Sequence, residues 1–144
     1  METHYYEINV KWNSERKGTA SSPDLQDLEV ATPPEFPKGH SGIWSPEHLF
    51  VASSSVCLMT TFLAIAENSR LNFTSYSCKA TGKLEQIDKK FMISEIVLEP
   101  TIVIPEEKDK DKAHKIIEKS EAACLISNSM KTKVILKPDI QIGI

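Results

Sequence analysis

The chain has 144 residues, 40% of them hydrophobic, and a formal net charge of −3 with its lysines scattered along its length. That is enough apolar material for the core of one ordinary domain, and a single domain over residues 1–144 is expected. No basic cluster offers phosphate a footprint, which argues against nucleic acid and membrane surfaces as partners.

METHYYEINVKW has no basic stretch followed by an apolar block, so it does not read as a signal peptide and a cytoplasmic location is expected. Tyr6, Ile8, Val10 and Trp12 alternate with Glu7, Asn9 and Lys11, the period-two pattern of a half-buried strand. Asn13 to Gly18 reads as turn. Leu28, Val30 and Thr32 repeat the alternation before Pro33, Pro34 and Pro37 forbid ladder bonds, which gives a meander of two or three strands. Phe36 to Trp44 reads as loop. Ser45, Pro46 and Glu47 then open a helix as N-cap, N1 proline and first-turn carboxylate, and it should run to about Asn68. Ser53, Ser54, Ser55, Thr60 and Thr61 break its apolar stretches into pieces far shorter than the ~20 residues a bilayer requires, so a buried helix of the core is the better reading.

Phe73 to Gln86 places Tyr76, Cys78, Ala80 and Leu84 on one face, and Phe91 to Ile104 does the same with Met92, Ile96, Leu98, Ile102 and Ile104. With Asp88, Lys89 and Lys90 between them, the two predict a long hairpin. Pro105 and the acids Glu106, Glu107 and Asp109 start a second helix whose Ala113, Ile116, Ile117, Ser120 and Cys124 share one stripe. Thr132 to Leu136 is a last short strand. Strands grouped apart from helices predict an α+β fold with antiparallel sheet.

Three cysteines are an odd number and too few for a disulfide scaffold, so any bridge among them is reactive rather than structural. Cys78, between Tyr76 and Ala80 on an apolar strand face, reads as a small core hydrophobe. Cys57 and Cys124 lie among small or polar residues, Ser53, Ser54 and Thr61 near the first and Ser120, Ser127 and Asn128 near the second. The residues alone leave two readings open for this pair, inert core thiols or thiols lining a cavity. A reactive thiol needs a fixed cation near it to populate the thiolate at neutral pH. Only two of the seventeen basic residues are arginines. Arg70 follows the helix end, where it serves the last carbonyls and the dipole; Arg16, in the first turn, has no such structural duty.

GIWSPEHLFVASSSVC together with SEAACLISNSM resembles the OsmC/Ohr family of thiol-dependent organic hydroperoxide reductases. In that family the helix opens on an (N/S)-P-E run and the peroxidatic cysteine follows the glutamate by ten residues, as Cys57 follows Glu47 here. The second cysteine of the family stands in a C-x-x-S-N context, matched by Cys124, Ser127 and Asn128, and its arginine lies in an N-terminal turn, matched by Arg16-Lys17-Gly18. The residue after the second cysteine is often proline in the family and is Leu125 here.

The resemblance implies antiparallel sheets packed around a long buried central helix and a second helix, in an intertwined homodimer. It implies that the Cys57 thiolate attacks a hydroperoxide and that the resulting sulfenic acid condenses with Cys124 to a Cys57–Cys124 disulfide. Arg16 would stabilise the thiolate, and Glu47 would hold the guanidinium through a bidentate pair. The apolar substrate tail would lie among Phe36, Phe50, Leu58, Met59, Phe62 and Leu125. No metal or other cofactor is expected, since His40, Glu47 and His48 have no ligand spacing; the reductant would be an external dithiol of the dihydrolipoyl type.

On one straight helix Glu47 and Cys57 stand roughly 15 Å apart along the axis and roughly 80° apart around it. Either the loop carrying Arg16 spans the gap, the helix bends near Ser53 to Ser55, or a second chain supplies Glu47 and Arg16; the third agrees with the family's homodimer. Two rival functions share the same fold. One is a module that binds an apolar ligand with the cysteines as bystanders, and the other is a thiol redox sensor, which oxidises once where an enzyme cycles.

Overall fold

In the computed structural model, which describes residues 1–143, the chain runs through β1 (Asn9–Ser14), β2 (Lys17–Ser21), β3 (Leu28–Ala31), α1 (Pro46–Asn68), β4 (Ser75–Ile87) and β5 (Lys90–Ile104). A 3₁₀ turn (Glu107–Asp109), α2 (Lys110–Ala122), α3 (Leu125–Asn128), β6 (Lys133–Leu136) and β7 (Asp139–Ile142) complete it. The chain divides into two compact units, Met1–Leu49 and the remainder from Phe50. The mixture of antiparallel pairing and helices is the α+β class expected from the pattern.

In the first unit β1, β2 and β3 form an antiparallel meander. The expected turn over Asn13 to Gly18 is shorter than the composition suggests: only Glu15 and Arg16 turn, Glu15 at φ 51°, and Gly18 already lies in β2. Gly18 pairs with Trp12, and a Cβ there would sit 2.7 Å from the Lys11 carbonyl oxygen, so a side chain would break the pairing. The expected half-burial of the first strand is not observed. Ile8, Val10 and Trp12 are 62%, 72% and 73% exposed, because no described residue of the first unit covers them.

The caps of α1 follow the sequence reading. His48 N–H donates to Ser45 Oγ (3.1 Å), and Ser45 N–H reaches back to His48 Nδ1 (3.3 Å), so histidine plays the reciprocal part that Glu or Gln plays in a capping box. At the other end Leu71 N–H bonds to Ala66 O and Arg70 N–H to Glu67 O, with Arg70 at φ 55°, the pattern of a Schellman C-cap. Length and composition would let α1 cross a membrane. In this fold its Ser54, Leu58, Phe62 and Ala66 stripe is fully buried, while Val56 and Leu63 on the other side are exposed.

β4 and β5 pair along their whole length and turn through Asp88 and Lys89 alone, both at positive φ, as a two-residue type I′ hairpin requires. Ile96, Leu98, Ile102 and Ile104 enter the core as the alternation predicts. A bulge at the Leu84 and Ile93 pair then shifts the phase by one residue, so Ile93 rather than Met92 packs against the core. On its other edge β5 receives β6 and then β7, both parallel to it. β7 follows Pro138 and has no counterpart among the expected strands.

Candidate active site

Two sulfurs meet in the second unit. Cys57 comes from the buried stripe of α1, and Cys124 comes from the junction of α2 and α3. Both are buried free thiols. The sequence places Cys124 on the α2 stripe, but α2 ends at Ala122 and Cys124 is extended (φ −65°, ψ 112°), immediately ahead of the first residue of α3. This break turns the chain so that the Leu125 and Ile126 N–H groups, unpaired at a helix start, face Cys57. Leu125 is N1 of α3, a position that also suits the proline many family members carry there.

The two thiols are driven apart in acidity. Burial pushes Cys57 up, but the Cys124 thiol, the Ile126 N–H, the Thr61 hydroxyl and the Leu125 N–H together outweigh it and bring its pKa below the ordinary thiol value. Thr61 Oγ1 lies 3.9 Å from Cys57 Sγ, one helical turn along α1. Cys124 moves the other way, because burial and its role as hydrogen-bond donor to Cys57 both favour its protonated form. Cys57 is therefore the more acidic of the two thiols and Cys124 the one held toward its protonated form. None of the groups that lower Cys57 is a cation.

Arg16, Glu47 and Phe36 meet in the first unit. They line a cleft of about 460 Å³ together with Thr32, Pro37 and Pro46. Arg16 is held at the tip of the β1–β2 turn, where its carbonyl accepts the Thr32 N–H (3.2 Å). Glu47 occupies the first turn of α1, at the positive end of the helix dipole. The bidentate pair expected between them is not formed: no ion pair joins them among the described residues, and Glu47 Oε1 is buried without a hydrogen-bond partner. An exposed arginine on a two-residue turn keeps its rotamer freedom, which a surface ion pair does not repay.

The remaining expected pocket residues split in two. Leu58 and Phe62 are wholly inside the core, Phe62 packed on Phe73 and Tyr76 at ring separations of 5.2 Å, so they offer no surface to a ligand. Phe50 and Met59 are 36% exposed and Leu125 65% exposed, which leaves those three free to meet a ligand. Cys78 packs against the core, as its strand position suggests. His48 is engaged in the α1 cap through Ser45 Oγ (2.7 Å).

Residues 39–138 match the OsmC-like protein family. The chain belongs to that family. The OsmC-like chain is 24% identical over 142 residues to the uncharacterized protein YmaD of Bacillus subtilis, covering 95% of this chain and 93% of that protein. Its fold is similar to that of an OsmC-like protein of unknown function from Vibrio cholerae, with a TM-score of 0.87 and 24% identity over 94% of this chain and 99% of that one. An organic hydroperoxide resistance protein from Elizabethkingia anophelis gives a TM-score of 0.78 at 22% identity, over 99% of this chain and 100% of that one. The organic hydroperoxide resistance protein OhrB of Bacillus subtilis gives 0.67 at 17%, over 96% and 98%. These neighbours establish the fold, and two of the three carry organic hydroperoxide resistance in their names.

Proposed function

We propose that the protein is a thiol-dependent peroxidase that reduces organic hydroperoxides to alcohols. The observation that carries this reading is the opposite polarisation of two adjacent buried thiols, Cys57 toward thiolate and Cys124 toward thiol. The Cys57 thiolate attacks the distal oxygen of ROOH, the O–O bond breaks, and the alkoxide leaves as ROH on gaining a proton, with sulfenic acid left on Cys57. Cys124 then displaces that oxygen as water and closes a Cys57–Cys124 disulfide, which an external dithiol reduces.

Leu125, Met59 and Phe50 would contact the organic tail, which favours bulky hydroperoxides over hydrogen peroxide. Arg16 would stabilise the charge on oxygen and Glu47 would orient it once substrate is bound. The exposed apolar faces of β1 and α1 suit a homodimer.

The test is peroxide consumption by the purified protein, with cumene hydroperoxide against hydrogen peroxide and dithiothreitol against glutathione. Cys57→Ser should abolish turnover, and Cys124→Ser should oxidise without forming the disulfide. Alkylation of Cys57 should begin at a pH below the ordinary thiol range, because its thiolate persists until the pH falls through its depressed pKa. A Cys124→Ala variant should move that midpoint upward. Inactivity with every peroxide and reductant would sink the reading, and one oxidation without cycling would favour a sensor.

A further inference from the structure

Glu121 Oε2, Ser127 Oγ and Tyr76 Oη are buried and none of them completes a hydrogen bond. A buried polar atom without a partner destabilises a fold, so three of them ask for a reason. Glu121 and Ser127 belong to the elements that meet at Cys124, and Tyr76 stands on β4 near Cys78 and Glu121. Glu121 lies in the last turn of α2 and accepts the Cys124 N–H on its carbonyl (3.1 Å), and Ser127 lies in α3, where Asn128 N–H returns to the Cys124 carbonyl (3.0 Å). Residues 121, 124 and 127 thus recur at a spacing of three around one break in the helix.

Ser127 is the common neighbour. Its hydroxyl interacts with the Glu121 carboxyl on one side and with the Cys124 sulfur on the other. Neither approach has the geometry of a finished hydrogen bond, and Cys124 has no side-chain cap bond, so the hydroxyl is committed to neither partner and can both accept and donate.

We propose that Glu121 takes up the proton of Cys124 through the Ser127 hydroxyl when the disulfide forms, an inference that rests on the peroxidase reading above. The resolving thiol must lose its proton to act as a nucleophile, and its burial beside Cys57 opposes that loss. Ser127 receives the proton of the Cys124 thiol as it gives its own to the Glu121 carboxylate. The Cys124 thiolate attacks the Cys57 sulfur, the S–S bond forms and the S–O bond breaks. The departing hydroxide takes one proton from solvent to become water, and Glu121 returns one to solvent. Cys124 sulfur is oxidised and Cys57 sulfur reduced, with no outside reagent. Burial raises the Glu121 pKa, which makes its carboxylate a stronger base than a surface glutamate. Glu121 acts through Ser127 and is a positioning residue; Ser127 is the group in contact with a reacting sulfur.

The experiment is a stopped-flow reaction of the reduced full-length protein with one equivalent of cumene hydroperoxide. It resolves sulfenic acid formation, trapped with dimedone, from disulfide formation. Glu121→Gln should slow the second phase about 100-fold, within the range of general acid–base catalysis, and leave the first at the wild-type rate. Ser127→Ala should do the same, and Glu121→Asp should recover part of the loss. Above all, the wild-type second phase should lose rate as Glu121 is protonated at falling pH, and that limb should vanish in Glu121→Gln. Equal second-phase rates in wild type and both variants would overturn the relay. So would a slower phase that keeps the wild-type pH profile, which marks mere structural support. Absence of any sulfenic acid in the wild type is the separate result that removes the peroxidase reading and this inference with it.

Discussion

The meander of the first unit and the long hairpin of the second carry the same alternation of apolar and polar residues, and they use it differently. In β5 the apolar set Ile96, Leu98, Ile102 and Ile104 is completely buried. In and before β1 the set Ile8, Val10 and Trp12 is open to water. Alternation states that a face is apolar; what lies over that face is a separate matter. The hairpin has α1 and α2 in its own unit, through Leu58, Phe62, Ile116 and Ile117. The contrast places stability in the second unit, and three substitutions probe it.

Phe62→Ala should have the largest effect. Phe62 is fully buried, edge-on to Phe73 and stacked on Tyr76, so its loss leaves a cavity and should destabilise by about 3–5 kcal/mol. Denaturant unfolding with unchanged m-value measures it; a loss under about 1 kcal/mol would mean that this core is looser than its burial implies.

Gly82→Ala should follow. A Cβ at Gly82 would stand 2.4 Å from Val51 Cγ2, which forces α1 and β4 apart at a cost of about 1–3 kcal/mol. Val51→Ala makes room for the new methyl, so the double variant should be more stable than the sum of the two single changes. Strict additivity in that cycle would show that the two elements are not in close packing.

What the sequence announced in these elements depended on side chains. Ser45, Pro46 and Glu47 declare the start of α1, and the isoleucines of β5 declare its buried face. β2 was harder, since Lys17, Gly18, Thr19, Ala20 and Ser21 have no apolar periodicity and the strand is held by backbone pairing. The break before Cys124 has neither glycine nor proline to signal it. The site divides in the same way. Cys57, Cys124 and the neighbours Thr61 and Ser127 are visible as residue types, whereas the N–H groups of Leu125 and Ile126 that favour the thiolate have no identity to read. Glu121 looks like any polar residue in a helix's last turn until folding buries one of its oxygens.

The smallest effect should come from the first sheet. Val10 is 72% exposed on an edge strand, so Val10→Lys should alter the stability of the isolated chain by no more than about 0.5 kcal/mol. A lysine on an edge strand also discourages pairing with another chain. If a second copy covers this face in the proposed homodimer, the charge must be desolvated on association, and dimerisation should weaken even though the monomer is untouched. Sedimentation across a concentration series separates the two: a dissociation midpoint displaced to higher protein concentration places Val10 in the interface. An unchanged midpoint would leave the meander's apolar face exposed in the assembly, and the dimer would then have to be sought on the exposed side of α1, at Val56 and Leu63.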